Sequence, residues 1–228
     1  AIPVTFDGQF LDDFDAGLKP GWIEHPKSFP GSSRWIVAGG KYRTRETGDN
    51  ESINGCEHLK NYQVLVNIQK STDHAQGDYF GLILRSPPDL NNATSGYYMV
   101  RVVCFSCEGT NSSNHRYRLE LVDKQGPYDS VLTSVDLEPS EFSFLTGEDY
   151  TLKAMVTDDV LIGKFWKSSE LEPSDDPLDT PKPADPPEPA RNGRTIDASN
   201  SSYSQGKIGL ASNTSKNTFD NLVVRPLS

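Results

Sequence analysis

The amino-acid sequence predicts an all-β fold, a two-sheet antiparallel β-sandwich, from three observations. Apolar and polar residues alternate along most of the chain, clusters of Gly, Asn, Asp and Pro separate the alternating segments, and no segment carries the apolar stripe of a helix. Ten or more strands of this kind would pack as two facing sheets. The 228 residues, 35% of them hydrophobic, suffice for a sizeable core, and we expect one domain over residues 1–228.

The alternation is clearest in five segments, which we take in chain order. They are YQVLVNIQ (62–69), YFGLILR (79–85), YYMVRVV (97–103), HRYRLEL (115–121) and YTLKAMV (150–156). In the third segment, Tyr98, Val100 and Val102 share one face, and Tyr97 and Arg101 lie on the other. Because strand side chains alternate between the two sides of a sheet, the first set is predicted to face the core and the second to face outward.

One long segment cannot continue a sheet. The stretch ELEPSDDPLDTPKPADPPEPARNG (170–193) is rich in Pro and acidic residues and almost free of apolar ones. Since Pro lacks the N–H that a strand ladder needs, we expect residues 168–195 to form an exposed loop insertion between two strands.

The charge of the chain restricts its partners. The formal net charge is -10, which argues against binding to nucleic acid or to an anionic membrane, because both require a cationic surface. No apolar run reaches the length of a membrane helix, and the first residues, AIPVTFDGQ, are typical of a processed N-terminus. We therefore expect a secreted, extracellular monomer.

Potential glycosylation sites support secretion. Five N-x-S/T sequons occur in segments predicted to be polar and turn-like, at Asn50, Asn92, Asn111, Asn200 and Asn213.

The three cysteines suit an oxidising compartment. Cys104 and Cys107 form a C-x-x-C motif, which can be redox-active or half of a zinc site, but no second C-x-x-C is present. We predict a local disulfide between Cys104 and Cys107; the alternative pairs Cys56 with one of them. The histidines show no metal-ligand spacing: His25, His58 and His74 are predicted in loops and His115 in an exposed turn.

Several motifs together resemble a known family. The segments FLDDFDAGLKPGW, RWIVAGGKY, DYFGLILRS, GYYMVRV, YTLKAMVTDDVLIGKFW and GKIGLAS with TFDNLVV occur in this order along the chain. They resemble the concanavalin A-like (laminin-G-like) jelly rolls of carbohydrate-active proteins, including sugar-binding accessory modules, 3-keto-disaccharide hydrolase-like domains and polysaccharide lyases. The resemblance covers the whole chain and implies a jelly roll, but the fold hosts binders and enzymes alike.

The resemblance also implies a structural calcium ion, Ca²⁺, between the first and last strands. Asp15 of DDFD and Asp220 of TFDN would supply carboxylates, and the turn around Gly40 and Lys41 would supply backbone carbonyls. Carboxylates and carbonyls are the ligands that Ca²⁺ prefers. The alternative makes Asp220 a turn or edge residue that is hydrogen-bonded to backbone amides.

The outward-facing polar residues suggest a glycan-binding face. Tyr rings can stack on sugars, amides can hydrogen-bond to them, and Arg can bind carboxylates or sulfates. We predict that one sheet surface recognises polysaccharide, with a preference for acidic, uronate-type glycans, through Gln63, Asn67, Tyr79, Arg85, Tyr97, Arg101, Arg116 and Arg118. Gln69, Glu120 and Lys153 are expected on the same surface.

Two alternatives stay open beside the binding protein. A polysaccharide lyase or glycoside hydrolase on this fold would draw its catalytic groups from Tyr97, His115 and Glu120, although the paired-acid motif of the jelly-roll glucanases is missing. A structural or adhesive extracellular protein would need no sugar site.

Overall fold

The computed structural model describes residues 10–17, 19–25, 34–45, 47–88, 90, 96–107, 115–126, 128–139, 142–175 and 193–227. These residues form strands and connecting turns, and they include no helix long and apolar enough to cross a membrane. The strands are β1 (Phe10–Asp12), β2 (Ile23–His25), β3 (Trp35–Ala38), β4 (Lys41–Thr44), β5 (Asn50–Asn54), β6 (Tyr62–Lys70), β7 (Tyr79–Ser86), β8 (Gly96–Ser106), β9 (Arg116–Gln125), β10 (Tyr128–Leu137), β11 (Asp149–Thr157), β12 (Val160–Lys167), β13 (Gly193–Ser199), β14 (Lys207–Ser212) and β15 (Asn217–Pro226).

Two antiparallel sheets face each other. The first sheet has the order β13-β12-β11-β6-β15-β4-β3, with β1 also paired to β15. The second sheet has the order β10-β9-β8-β7-β14-β5-β2. The predicted all-β sandwich is confirmed.

Side-chain alternation explains how the sheets pack. In β6, Tyr62, Val64, Val66 and Ile68 are fully buried, and the residues between them are only half-buried. In β8, Tyr98, Val100 and Val102 belong to the same core cluster, as predicted. The main core therefore lies between the two sheets.

A second apolar cluster lies on the other side of the second sheet. Its members come from the residues that alternate with the main core, and they are Ile53, Tyr79, Ile83, Leu90, Tyr97, Met99, Val122 and Ala211. Only 3% of Tyr97 and 7% of Tyr79 is exposed. The prediction that these rings are open stacking surfaces is therefore wrong, because both faces of the second sheet are buried here.

The predicted insertion begins and ends differently from the sequence prediction. At its start, Glu172 accepts hydrogen bonds from Lys153 (2.7 Å) and Lys164 (2.8 Å), and Pro173 is buried. At its end, Gly193 already begins β13, which pairs with β12. Residues 176–192 lie outside the described residues. The exposed loop cannot include the whole of 168–195, because both ends are bonded to the first sheet.

Cys104 and Cys107 are joined by a disulfide, with their Cα atoms 5.9 Å apart, and Cys56 is free. The predicted local pairing is therefore present.

Candidate functional site

The predicted glycan-binding residues belong to two different surfaces. Gln63, Asn67 and Gln69 lie in β6 of the first sheet, and Lys153 lies beside them in β11. The remaining predicted residues lie in β7, β8 and β9 of the second sheet. The prediction of one shared surface is wrong, because alternation along a strand tells core from outside but not one sheet from the other.

The first sheet uses its outward polar residues to hold chain segments. Gln69 accepts a hydrogen bond from Lys41 Nζ (3.1 Å) and donates one to the carbonyl of Gly147 (2.9 Å). Lys153 is bonded to Glu172, as described above. These contacts serve the fold.

On the second sheet, Arg101 is the centre of an ion-pair network. Its Nε donates to Glu120 (2.8 Å) and its Nη1 donates to Asp129 of β10 (2.6 Å). Lys124 also bonds to Asp129 (3.2 Å), and the guanidinium of Arg101 lies 5.4 Å from the ring centre of Tyr79. Burial acts to raise the pKa of Asp129, but the hydrogen bonds and charges of Arg101 and Lys124 outweigh it, so the pKa falls below its usual value.

The other arginines of the predicted site are also bonded within the chain. Arg116 pairs with Glu138, and Arg118 pairs with Asp136 at 2.6 Å. Both guanidiniums lie over the ring of Phe105. The strip of positive charge predicted from these arginines is therefore matched by carboxylates of β10 and the residue that follows it.

Arg85 has a structural place. Only 3% of the residue is exposed, and its guanidinium donates to the carbonyls of Tyr203 (2.7 Å) and Lys60 (3.0 Å). The sequence prediction that Arg85 faces a ligand is wrong, because its backbone turns into the left-handed region (φ 51°) near the end of β7 and interrupts the alternation.

Sequence reasoning missed a buried acid next to Tyr97. Glu51 of β5 is 5% exposed and accepts a hydrogen bond from the Tyr97 hydroxyl. Its other oxygen lies 3.2 Å from Nδ1 of His25, which is in β2 and not in the predicted loop. Burial, followed by the negative charge of Glu51, raises the pKa of Tyr97 well above its usual value. The segment NESIN gave one signal, an acid within a short strand, but its sequon favoured a turn.

Tyr79 completes this side of the face, because its hydroxyl donates to Asp49 at 3.1 Å. The structure thus brings Tyr79, Tyr97, Arg101 and Glu120 onto one face of the second sheet, beside the unpredicted Glu51 and His25. We call this group the outer face of the second sheet.

His115 is separate from that group. It is 3% exposed, next to the Cys104–Cys107 disulfide, and not in the exposed turn that was predicted. The three catalytic candidates therefore do not form one site in the structure.

The predicted calcium ligands come close together. The β3–β4 hairpin turns at Gly39 and Gly40, both at positive φ. A Cβ placed on Gly40 would lie 2.7 Å from Oδ1 of Asp15, so only glycine leaves room for this carboxylate. Burial raises the pKa of Asp220, and the charges of Asp15 and Asp149 raise it further, against the lowering effects of the Asn221 amide and Lys41.

The neighbouring acid of the DDFD motif has another role. Asp12 is fully buried and accepts hydrogen bonds from the amides of Phe14 (3.2 Å) and Lys19 (3.3 Å) and from the indole of Trp22 (2.9 Å). It holds the turn that presents Asp15 to Gly40.

The structure contradicts the predicted setting of one of the five sequons; glycosylation at the other four stays a prediction. Asn50 lies in β5 and is fully buried, so the turn-like context predicted for it is wrong and a glycan does not fit there. Asn200 and Asn213 are half-buried at the surface. Asn92 and Asn111 lie outside the described residues.

Comparisons with known proteins agree on the fold. No family model matches the chain, and no curated protein matches it in sequence. Among solved structures, the VIP36 exoplasmic/lumenal domain in its Ca²⁺/Man3GlcNAc-bound form has a TM-score of 0.60 at 11% identity, covering 96% of this chain and 88% of that one. A carbohydrate-binding module from Bacillus subtilis has a TM-score of 0.55 at 16% identity, covering 90% and 95%.

An enzyme is similar over part of its length. The chain aligns with a xylan β-1,4-xylosidase from Bacillus halodurans at a TM-score of 0.55 and 16% identity, covering 94% of this chain but 38% of the enzyme. The two sheets and these neighbours define the class: the chain has the fold of the concanavalin A-like lectin/glucanase jelly rolls, as the sequence predicted.

Proposed function

We propose that the chain is a glycan-recognition protein that binds its ligand on the outer face of the second sheet. The observation that carries the proposal is the coupled set of Tyr97, Glu51 and His25, because the buried carboxylate of Glu51, held by Tyr97, fixes the position of the His25 ring. The side chain of His25 is 30% exposed and gives this set a route to a ligand. Structural neighbours that bind sugars, such as the VIP36 domain with Man3GlcNAc, support the same function.

The ligand we propose is a neutral glycan rather than a uronate. Each guanidinium of Arg101, Arg116 and Arg118 is already bonded to a carboxylate of this chain. An acidic sugar would have to compete with these internal pairs.

A panel of neutral and acidic polysaccharides tests the proposal. His25→Ala should weaken binding to the preferred glycan about 10-fold, the equivalent of about 1.4 kcal/mol. Gln63→Ala is the matched control, since Gln63 lies on the outer side of the first sheet. Equal losses in both variants, or no binding by the parent protein, would contradict the proposal. Release of shorter or unsaturated products would instead reveal an enzyme.

We also propose that the chain holds a structural Ca²⁺ between β1 and β15. The residues present fit the ion. Asp15 and Asp220 lie near the Gly39–Gly40 turn and their negative charges repel each other, so a bound cation would relieve that repulsion. Asp15 and Asp220 would hold it with the carbonyls at Gly40 and Lys41. Because a ligand bound only to the folded state stabilises that state, chelation should lower the melting temperature.

A pair of glycine variants makes this test specific. Gly40→Ala should remove the response to chelator, because its Cβ would displace Asp15, whereas Gly39→Ala meets nothing within 4 Å and should keep the response. Both positions have positive φ, so both variants carry a similar backbone cost of about 1–2 kcal/mol. If chelator does not change the melting temperature of the parent protein, the calcium proposal is wrong.

Secretion as a monomer completes the proposal. The disulfide supports an oxidising compartment, and the half-buried Asn200 and Asn213 are the described sequons at which a glycan could be attached. Mass analysis of the natural protein, with sedimentation to measure its oligomeric state, tests both points. An intracellular protein with no glycan, or a stable dimer, would contradict them.

A further inference from the structure

The disulfide lies against a buried histidine. Cys104 ends the regular part of β8, Cys107 follows that strand, and His115 immediately precedes β9. The two sulfur atoms and a ring nitrogen of His115 all lie within 4.8 Å of one another, and all three residues are buried. Neither the glycan-binding proposal nor the calcium proposal uses this cluster.

We propose that reduction of the Cys104–Cys107 disulfide creates a metal site for a thiophilic divalent ion such as Zn²⁺. A dithiol would transfer two electrons and two protons to the disulfide and become a cyclic disulfide itself, leaving two thiols. Metal binding would then release both thiol protons to solvent and form two metal–thiolate bonds and one metal–imidazole bond. Two thiolates and one imidazole form a ligand set typical of zinc.

The distances suit this coordination. In a tetrahedral zinc site with bonds of about 2.0–2.3 Å, the ligand atoms lie roughly 3.3–3.8 Å from one another. The three candidate atoms already lie within 4.8 Å, so opening the disulfide requires side-chain rotation and no rearrangement of the sheet. A water molecule would occupy the fourth position.

The backbone around the cysteines is held independently of the disulfide. The amide of Cys104 donates to the carbonyl of Asp78, and the amide of Gly77 donates to the carbonyl of Cys104, each at 2.8 Å. The amide of Cys107 donates to the side chain of Gln76 at 3.3 Å. These bonds connect the C-x-x-C segment to the β6–β7 connection, so both sulfur atoms stay near His115 after reduction.

Cobalt binding tests the site directly. A Cys56→Ser background removes the one other cysteine. This protein is reduced with a dithiol, separated from the reductant without oxygen and titrated with Co²⁺. One equivalent should bind and give the near-ultraviolet thiolate-to-cobalt charge-transfer band together with the visible bands of tetrahedral cobalt, and Zn²⁺ should displace it. The oxidised protein should give neither band.

Two further controls separate the proposed site from adventitious binding. Alkylation of the reduced thiols should abolish the signal without any mutation. His115→Gln, shown to be folded in the oxidised state by circular dichroism, should weaken binding by more than the about 10- to 100-fold that loss of an outer-shell partner costs. If the reduced protein shows no thiolate-to-cobalt band, or if His115→Gln and the oxidised protein bind as tightly as the reduced parent, the proposal is wrong. None of these outcomes bears on glycan binding.

Discussion

Replacing Arg101 by Ala should lower the free energy of unfolding, because Arg101 neutralises the buried carboxylate of Glu120. The side chains of Arg101 and Glu120 are 12% and 8% exposed, whereas Asp129 is 30% exposed and keeps Lys124 as a partner. Breaking a buried ion pair by removing one partner costs about 3–5 kcal/mol. Because the pair is not completely buried, we expect the low end, about 3 kcal/mol. In a domain of this size, that loss lowers the melting temperature by roughly 6–12 °C.

The assay is urea and thermal unfolding followed by tryptophan fluorescence, and the chain offers a matched control. Arg116 and Glu138 form a similar pair at 43% and 39% exposure, for which we expect less than about 1 kcal/mol. Adding Glu120→Gln to Arg101→Ala should recover part of the loss, because the uncompensated charge is removed. If Arg101→Ala is as mild as Arg116→Ala, the network on the second sheet is not what stabilises this face, and a direct role of Arg101 in ligand binding becomes the better reading.

Two further predictions concern pH and the bonded start of the insertion. Burial lowers the pKa of His74 to about 4, against the raising effect of its hydrogen bond to Asn217. In the unfolded chain this histidine has a pKa of about 6.5, so the free energy of unfolding should fall as pH drops from 6.5 towards 4. His74→Gln should flatten that dependence. If the variant loses free energy of unfolding with pH as steeply as the parent protein, the prediction is wrong. Glu172→Gln should destabilise the protein, because Lys153 and Lys164 share the Glu172 carboxylate and the Lys164 side chain is only 3% exposed. Unchanged unfolding in urea would show that residues 171–175 are not anchored by these bonds.

Periodicity predicted the fold well, because burial imposes it directly. The β6 and β8 patterns gave the correct core faces, since a residue such as Val100 must be apolar to lie between the sheets. Periodicity could not assign Gln63 and Arg101 to different sheets, because strand order depends on pairing between segments that are distant in sequence. It also failed at Arg85, where a left-handed residue interrupts the strand.

Charge pairing was the other limit on predicting the candidate site. The sequence shows arginines on β8 and β9, but their partners Asp129 and Asp136 lie in β10, an edge strand whose mostly exposed residues give no clear alternation. Glu51 was missed for a related reason: its function follows from Tyr97 and His25, which are far from it in sequence. Contacts inside one motif, such as the Cys104–Cys107 disulfide, were predictable because few residues separate the partners.

The salt dependence of glycan binding follows from the same charge pairing. Long-range attraction between exposed charges is screened beyond about 8–10 Å at physiological ionic strength. A face with free guanidiniums would therefore lose affinity for an acidic glycan as salt is added. Here Arg101, Arg116 and Arg118 are each matched by a carboxylate, in a chain of net charge -10, so these three arginines are not available to attract an anion. Binding to the preferred glycan should change little with added salt, and acidic polysaccharides should bind more weakly than neutral ones. A steep loss of affinity with salt, together with a preference for polyuronate, would show that the ligand displaces these internal pairs, and the acidic-glycan prediction from the sequence would then be correct.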